Sequence, residues 1–468
     1  VCAEPPLPQS VDAAEVPDGC SRLYGWPFWN TYVACTLVNV AYAILFRYAD
    51  FVAVAGGTEL NLGWIVGVGM VGSVLARFSL GAAIDQRGPR LVWFVSLGAF
   101  AGCCFAHLAV TRCDGLAVYF LRVVYCTSIA GIFGAATTFI SGRVSITRMA
   151  EIVGIFGTSG FLGMMLGAQV GDLLVASRTP DRWIVDQMFL AAGALGLAAM
   201  PFAWLATRKC IAPSRQDRTR VLTLLRMHQP GFVLAVGVAT GAALSLPQTF
   251  LRTYAADLHI TRISVFFTVV AVTAVVTRIA DRRIVHRVGL TRMIFAGIAL
   301  MALAQVLYLV VRREWDLVFP GLSYGVAQAI LYPMIAAVGT GTFPVHSRGL
   351  GITLVLAAFD VGQLIGAPAA GGILHLSRLV GLPGYPTLFV AMAAVLTVVG
   401  VFYWWTLRPK ASLVRSLDLP VILPFPRSET PRPSAPGVTR SDPAAAAVLP
   451  AIGRPHSGNS RSTAEVPR

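Results

Sequence analysis

This sequence predicts an all-α membrane protein in which twelve transmembrane helices form two pseudo-symmetric six-helix bundles. Hydrophobic segments of the length that crosses a bilayer, roughly 20 residues, recur about a dozen times between Trp26 and Leu407. Of the 468 residues, 56% are hydrophobic and 13% are charged, and the mean hydropathy is +0.70. Four long segments contain no Asp, Glu, Lys or Arg: 187–207, 293–311, 317–347 and 384–407. A soluble core does not account for such runs, so the chain is a polytopic membrane protein and most classes of soluble enzyme are excluded.

The hydrophobic pattern places the twelve spans at 26–49, 62–84, 91–111, 115–140, 149–176, 184–207, 231–254, 263–282, 291–311, 316–342, 349–375 and 384–407. The chain then has five parts: a short disordered cytoplasmic N-terminus (1–23), an N-terminal six-helix bundle (24–207), a basic cytoplasmic linker (208–230), a C-terminal six-helix bundle (231–407) and a disordered, Pro-rich cytoplasmic tail (408–468). The tail has 11 Pro among its 61 residues, a composition that cannot bury a core. Residues 1–21 contain no apolar run, so we expect no secretory signal peptide.

The basic charge of the chain follows the predicted membrane topology. The net charge is +15, and it is concentrated in loops on one side of the membrane. The loop 208–229 contains five Arg and one Lys against one Asp, and 278–292 contains five Arg against one Asp. By the positive-inside rule these loops face the cytoplasm, and an even number of spans places both termini there. The charge therefore indicates orientation rather than a nucleic-acid partner, and we expect an integral protein of a bacterial inner (cytoplasmic) membrane.

The two halves of the chain resemble each other at an offset of about 200 residues. Residues 77–88 (RFSLGAAIDQRG) match 278–289 (RIADRRIVHRVG) in their first Arg and last Gly. The segment that begins at Arg148 matches the segment that begins at Arg348 with one gap. Two pairs of glycines then coincide: Gly163 with Gly362, and Gly167 with Gly366. Glycine-rich helices can resemble one another by chance, but a paired loop and a paired helix in the same order favour a true repeat.

A loop motif carries a family resemblance. The pattern G-x-x-x-D-x-x-G-x-R follows the second span, at Gly81, Asp85, Gly88 and Arg90. Together with six plus six spans and a central basic loop, this motif resembles that of the major facilitator superfamily. The resemblance implies that the loop controls conformational gating by holding the two bundles together on the cytoplasmic face, with Asp85 near the N-terminal end of span 11, where a helix dipole favours an anion. Gln86 and Pro89 depart from the usual basic residues, and the second copy of the loop is degenerate. The alternative is an ordinary solvated turn.

Glycine spacing in spans 5 and 11 bears on the direction of transport that the resemblance implies. Span 5 has small residues at helical spacing, which let helix backbones approach closely: Gly160, Gly163, Gly167 and Gly171. Exporters of this family usually read G-x-x-x-G-P-x-x-G-G in this segment, whereas here Ala168 replaces the Pro and Asp172 the final Gly. Span 11 is closer to that pattern, with Gly362, Gly366, Pro368, Gly371 and Gly372. Export is therefore favoured, on an incomplete signature.

Ionisable residues inside spans are the sharpest functional signals, because each is costly in contact with lipid. Asp360 lies near the middle of span 11 and must face a cavity or a partner, or be protonated; a role in carrying protons and a purely structural hydrogen bond are both open. Arg122 in span 4 resembles the family's intramembrane Arg, and could pair with an acid, contact an anionic substrate or extend outward. Arg77 is expected to extend to the cytoplasmic surface. Three acids near the outer ends of spans are expected to be solvated: Asp50, Asp172 and Asp186.

The resemblance also implies that spans 1, 4, 7 and 10 line a central cavity, so polar side chains on these spans are candidate contacts. Besides Asp360 and Arg122, the substrate or coupling candidates are Asn39, Tyr42, Tyr125, Gln248, Tyr324, Gln328 and Tyr332. The last three follow i, i+4, i+8 spacing and share one helix face. Taken singly, each is more often a satisfied interhelical hydrogen bond. Together they outline a mixed aromatic and amide pocket near the midplane.

These observations predict a secondary active transporter that moves a small organic solute by alternating access, by proton-coupled efflux. The sequence contains no G-x-x-x-x-G-K-[ST] phosphate loop, so the energy would come from a gradient, with protons as the coupling ion. The alternative is an uptake symporter or uniporter for a sugar or a monocarboxylate, and a more remote one is a non-transporting membrane sensor or scaffold. We expect no enzymatic activity, no cofactor and no metal site, since the eight Cys show no metal or disulfide pattern. One chain supplies both halves of a pathway, so we expect a monomer in the lipid bilayer.

Overall fold

The computed structural model describes residues 24–143, 146–175, 180–208, 231–341, 343 and 348–407, and all regular elements in these residues are helices. The predicted N-terminal segment 1–23, the tail 408–468 and almost all of the linker 208–230 lie outside the described residues. The proposed disorder of the two termini therefore stays a prediction.

Within the described residues the chain forms twelve α-helices. Their bounds are α1 Trp26–Ile44, α2 Tyr48–Val54, α3 Glu59–His107, α4 Leu116–Ser141, α5 Ile146–Val175, α6 Arg182–Thr207, α7 Val233–Asp257, α8 Ser264–Val288, α9 Leu290–Leu307, α10 Val318–Gly341, α11 Arg348–Leu379 and α12 Gly384–Leu407. Short 3-10 helices occur at Leu45–Arg47, Tyr308–Val310 and Glu314–Leu317.

Each of the twelve predicted spans has a corresponding helix or pair of helices among the described residues. Eleven segments of the described chain are long and apolar enough to cross a membrane, and the apolar part of α8, Ser264–Ala280, is shorter. The first span runs through α1, a 3-10 turn and α2, and α3 contains the second and third spans as Glu59–Leu80 and Gln86–His107. From α4 onward the helix number equals the span number. The predicted fold class is confirmed.

A glycine with positive φ separates spans 2 and 3, and its repeat counterpart separates α8 and α9. Gly88 has φ 83° and ψ 153°, and it is followed by Pro89 within α3. Gly289 has φ 84° and ψ 148°, immediately before α9. A Cβ atom disfavours this backbone conformation. The shared geometry explains why both copies of the repeated loop end in Gly, and it supports the predicted repeat.

Glycines at matching positions of the repeat bring helices into backbone contact. In α5, a Cβ on Gly163 would lie 3.0 Å from the carbonyl oxygen of Thr36 in α1. In α11, a Cβ on Gly362 would meet the carbonyl oxygen of Val238 in α7. Close approach of backbones through small residues is a general means of packing transmembrane helices. The fifth span of each half therefore packs on the first span of the same half in the same way.

The N-terminal half (spans 1–6) and the C-terminal half (spans 7–12) meet along two pairs of helices. Span 2 packs against α11, and α5 packs against α8. Small residues again permit the contact: Gly67 lies directly against the ring of Pro368, and a Cβ on Gly371 would lie 2.7 Å from the carbonyl oxygen of Glu59. These two interfaces flank the space between the halves, where the cavity lies.

Candidate functional site

A cavity of about 270 Å³ lies between the two halves. Its polar lining comes from spans 1, 2, 4, 7 and 11: Asn39, Tyr42, Tyr48, Ser73, Arg77, Arg122, Tyr125, Gln248, Thr249, Asp360 and Gln363. The other lining side chains are apolar or small: Leu45, Phe46, Leu62, Val66, Met70, Cys126, Ile129, Ala130 and Phe133. This volume is slightly below the range of about 300–1,000 Å³ that is common for ligand sites in proteins, so the cavity suits a small, compact molecule. Both halves contribute to it, so a relative motion of the halves changes its shape.

The structure brings six of the nine predicted contact residues together at this cavity: Asp360, Arg122, Asn39, Tyr42, Tyr125 and Gln248. The three candidates on α10 do not line it. Tyr324 is buried and donates a hydrogen bond to the carbonyl oxygen of Leu244 in α7, at 3.2 Å. Tyr332 stacks on Phe359, with 5.3 Å between the ring centroids. Gln328, between them on α10, has a buried Oε1 without a hydrogen bond in the described part of the chain.

Asp360 is held in an ion pair that joins the two halves. Its side chain is 5% exposed and accepts hydrogen bonds from Ser73 Oγ at 2.7 Å and Arg77 Nη2 at 3.0 Å, while Arg77 Nε also contacts Oδ2. The prediction that Arg77 extends to the cytoplasmic surface is therefore wrong: its side chain is only 23% exposed and turns toward Asp360. The physical reason is that a carboxylate buried in the bundle needs a counter-ion, and Arg77 lies on the facing helix.

Arg122 lies between two tyrosine rings at the cavity wall. Its guanidinium carbon is 4.5 Å from the ring centroid of Tyr48 and 4.8 Å from that of Tyr125. The Nε atom is buried without a hydrogen bond to any described residue. The aliphatic part of the side chain passes over Gly69, where a Cβ would lie 2.5 Å from Arg122 Cγ. Arg122 thus presents a positive charge to the cavity.

Two further candidate residues connect the cavity walls. The hydroxyl of Tyr42 in α1 donates a hydrogen bond to Oε1 of Gln248 in α7, at 3.0 Å, and so bridges the halves. The ring of Tyr42 stacks on that of Tyr125, with centroids 6.4 Å apart and planes inclined by 14°. Asn39 donates through Nδ2 to the carbonyl oxygen of Cys35 in its own helix, at 2.8 Å.

A buried group of four charged side chains, termed here the outer network, lies near the predicted outer face: Arg47, Asp50, Asp172 and Arg252. Arg47 Nη1 is 3.0 Å from Asp50 Oδ2, and Arg47 Nη2 is 2.7 Å from Asp172 Oδ1. Arg252 Nε, from the other half, is 2.9 Å from Asp50 Oδ1. The prediction that Asp50 and Asp172 are solvated is wrong, since their side chains are 7% and 6% exposed.

The predicted position of these acids near the outer surface did not include their arginine partners, Arg47 and Arg252. A signal was present, because both arginines lie within apolar segments. The third acid of that prediction, Asp186, is partly exposed and pairs with Arg182 in the same helix at 2.9 Å.

The outer network also joins both halves through the start of α8. Asp172 Oδ2 accepts a hydrogen bond from the backbone N–H of Ser264, the first residue of α8, at 2.7 Å. Arg47 Nη2 donates to the carbonyl oxygen of Thr261 at 2.7 Å. A helix N-terminus favours an anion, so the contact of Asp172 is electrostatically favourable. The loop that precedes α8 and the first turn of α8 are therefore bonded to span 1 through Arg47 and to span 5 through Asp172.

A bidentate ion pair also joins the two halves at the interface of span 2 with α11, at the same end of the molecule. Arg378 near the end of α11 donates from Nη1 to Glu59 Oε2 at 2.7 Å and from Nη2 to Glu59 Oε1 at 2.6 Å. Glu59 is the first residue of α3. Both interfaces between the halves are therefore closed by charged contacts at the predicted outer face.

The predicted gating motif is only partly described. Gly88 forms the positive-φ turn and Arg90 is exposed. The surroundings of Gly81 and the side chain of Asp85 lie outside the described part. The contact of Asp85 with the start of α11 stays a prediction.

The repeat relates the Arg77–Asp360 pair to a different contact in the other interface. The match of 77–88 with 278–289 pairs Arg77 with Arg278 in α8. The offset that pairs Gly163 with Gly362 also pairs Phe161 in α5 with Asp360. The guanidinium carbon of Arg278 lies 4.9 Å from the ring centroid of Phe161. One interface thus carries an ion pair with a titratable acid where the other carries a cation–π contact.

Two related six-helix halves around a polar cavity, tied by charged contacts, are the architecture of a membrane transporter. A family model described as Major Facilitator Superfamily matches residues 28–312 and 233–453. The chain belongs to the major facilitator superfamily, and the predicted resemblance is confirmed.

Relatives of known name are distant but cover most of the chain. The multidrug resistance protein MdtG of Serratia proteamaculans is 20% identical over 417 residues, which are 84% of this chain and 97% of that protein. The staphylopine export protein of Staphylococcus aureus is 21% identical over 412 residues, 83% of this chain and 98% of that protein.

Solved structures show the same fold at low identity. The nucleoside transporter NupG superposes with a TM-score of 0.66 at 13% identity, over 81% of this chain and 98% of that one. A D-xylose-proton symporter superposes with a TM-score of 0.67 at 13% identity, over 81% and 96%. At this identity the likeness concerns the fold alone.

Proposed function

We propose that this transporter is a secondary active exporter of a small organic solute, driven by protons and working by alternating access. The observation that carries the proposal is the central cavity, which both halves line and which contains the buried acid Asp360. Two relatives that cover most of the chain are named for drug resistance and for export, which supports the outward direction. The basic loops support an orientation with both termini in the cytoplasm of a bacterial inner membrane, and the chain would act as a monomer.

Asp360 is suited to couple proton binding to relative motion of the two halves, because its ion pair joins them. The carboxylate belongs to α11 and both of its hydrogen-bond donors, Ser73 and Arg77, belong to span 2. Protonation of the carboxylate removes its charge and weakens its attraction to the guanidinium. The contact between the halves then loosens in the protonated form, so proton binding and domain motion depend on each other.

The outer network and the Glu59–Arg378 pair supply the other element that alternating access needs. They hold the halves together at the predicted outer face while the cavity remains between them. Opening toward the outside requires that these contacts separate. In the proposed cycle, the charged contacts at the outer face and the Arg77–Asp360 pair deeper in the interface break at different stages.

The test is transport in a bacterium that lacks its own efflux pumps. Energised accumulation of labelled drugs, sugars and carboxylates would be measured for wild type, for Asp360→Asn and for Asp186→Asn, with and without a protonophore. Asp186→Asn is the matched control, because it removes an acid that pairs within its own helix, away from the cavity. We expect wild type and the control to lower accumulation, and the protonophore or Asp360→Asn to abolish the effect.

Other results would contradict the proposal in defined ways. Energised accumulation above the vector control would show uptake, the alternative function, and would overturn the direction. Efflux that persists in Asp360→Asn, and that also persists in wild type when the protonophore is added, would overturn proton coupling through this acid. An absence of flux for every solute, with the protein present in the membrane, would favour a sensor or scaffold.

A further inference from the structure

We infer that the cavity recognises its substrate through a carboxylate that pairs with Arg122, so that the transported solute is a small organic anion. The inference rests on the proposed function, since it names the substrate class of the same cavity. The charges on the cavity wall are not balanced. Arg77 and Asp360 neutralise each other there. Arg122 forms no ion pair with any described residue, including the described side chains that line the cavity.

The positive charge of Arg122 is permanent. A guanidinium group stays protonated in proteins, so removal of the proton cannot relieve its burial. The neighbouring groups are neutral: the rings of Tyr48 and Tyr125 lie on the guanidinium, and Cys126 and Tyr42 are also close. Aromatic faces attract a cation but do not compensate its charge. A cation in this position is therefore best satisfied by an anion that enters from the cavity.

The side chain of Arg122 is also fixed in place for such a contact. Gly69 leaves room for its aliphatic stem, and the two tyrosine rings restrict the guanidinium plane. A planar guanidinium binds a carboxylate through two parallel hydrogen bonds. An Arg that is already held in position gives up less conformational freedom on binding, which favours a specific ion pair over a loosely hydrated charge.

The other lining residues limit the size and polarity of the part of the ligand that does not contact Arg122. Phe46, Phe133 and Met70 provide an apolar wall, and Tyr42 with Gln248 provides a hydroxyl and an amide. With about 270 Å³ available, the body of the ligand is compact. A carboxylate on a small apolar or aromatic body matches both the charge and the size.

A competing explanation gives Arg122 no role in substrate choice. It could serve only as an alternative partner of Asp360 in another conformation, with water around it meanwhile. In that case its replacement would affect charged and neutral ligands alike. The two explanations therefore differ in whether the preference for an acid over its uncharged amide depends on Arg122.

Binding to the purified full-length protein in detergent, without any gradient, tests this difference. The probes are benzoate, salicylate, lactate and succinate, each paired with its amide, and dissociation constants would be measured by calorimetry at neutral pH. In wild type we expect at least one acid to bind tenfold or more tightly than its amide. Arg122→Gln should remove that preference and leave amide binding unchanged, whereas Arg122→Lys should retain part of it. Arg112→Gln removes a cation from an exposed loop and is the matched control.

A second variant keeps the test informative if Arg122→Gln does not fold. Gly69→Ala retains the guanidinium but displaces its stem, so we expect weaker binding of the acids with a monodisperse protein. The inference is overturned if wild type prefers none of the acids, or if the preference survives in Arg122→Gln. Efflux of neutral or cationic compounds with no acid preference would leave the proposed function standing without this inference. An acid preference that depends on Arg122, in a protein that exports nothing, would support this inference and overturn the proposed export.

Discussion

The ion pair between Arg77 and Asp360 joins side chains that are 283 positions apart in the sequence. Burial of a carboxylate in a helix bundle is unfavourable unless a counter-ion and hydrogen bonds accompany it. Here Arg77 supplies the charge and Ser73 a further hydrogen bond. If Arg77 is removed, the acid keeps its buried position and the hydrogen bond from Ser73 but has no counter-ion. The cost of that uncompensated charge exceeds the net contribution of the pair.

Arg77→Gln should therefore destabilise the protein more than the double variant Arg77→Gln/Asp360→Asn does. Breaking a buried pair from one side typically costs about 3–5 kcal/mol, and we expect a value at or below the lower end because Arg77 is partly exposed. Thermal unfolding of the purified proteins, followed by tryptophan fluorescence, gives the comparison. Equal Tm values for the single and double variants would contradict this account of the pair.

At the scale of the helix, the matching glycines of spans 5 and 11 determine how closely each half packs. Gly362 faces the backbone of α7, so a methyl group there has nowhere to go without moving a helix. Gly372, ten residues later in α11, has open space around its Cβ position. The two positions share a helix and a residue type and differ in what a side chain would meet.

Gly362→Ala should lower the stability of the protein by about 1–3 kcal/mol, the usual cost of overpacking. Gly372→Ala, the matched control, should be neutral or slightly stabilising, because Ala is the better helix former. Detergent-solubilised variants would be compared by their melting temperatures. A lower melting temperature for Gly372→Ala than for Gly362→Ala would show that close packing at Gly362 does not control stability.

The positions of the helices were largely predictable from the sequence, but the side-chain contacts between helices were not. Span lengths follow from local runs of apolar residues, and the repeat follows from spacing, so the twelve spans and the pairing of Gly163 with Gly362 could be derived from the sequence. Which face of a helix points inward depends on its rotation, which a short polar stripe does not fix. Tyr324 therefore turned toward α7 rather than the cavity, and Arg77 toward α11 rather than the cytoplasm.

At the scale of the whole molecule, charged contacts at one end hold the two halves closed. Asp172 is central to them, because it contacts Arg47 and the backbone N–H of Ser264 at the start of α8. Without this carboxylate, Arg47 loses one of its two acids and the α8 terminus loses its anion. The closed arrangement at this end is then weakened more than the fold of either half.

Asp172→Asn should shift the protein toward a state in which the halves are separated at the predicted outer face. Spin labels at Asp114→Cys and Leu382→Cys, in a background without other cysteines, report the distance between exposed loops of the two halves at that end. We expect a longer distance, or a larger fraction of a longer one, in Asp172→Asn. Asp186→Asn, which alters an ion pair inside one half, is the control, and an unchanged distribution in Asp172→Asn would show that the outer network does not set this equilibrium.

Phe161 stands in one half where the other half has Asp360, and this difference limits how many protons the two related positions can take up in the proposed cycle. A phenyl ring binds no proton, so the two related positions together take up at most one proton per turnover. Export of a monovalent anion in exchange for one entering proton moves two positive charges inward. Each charge contributes about 2.3 kcal/mol per 100 mV of membrane potential. Such an exchange is electrogenic, and it would continue on voltage alone after the pH gradient has collapsed.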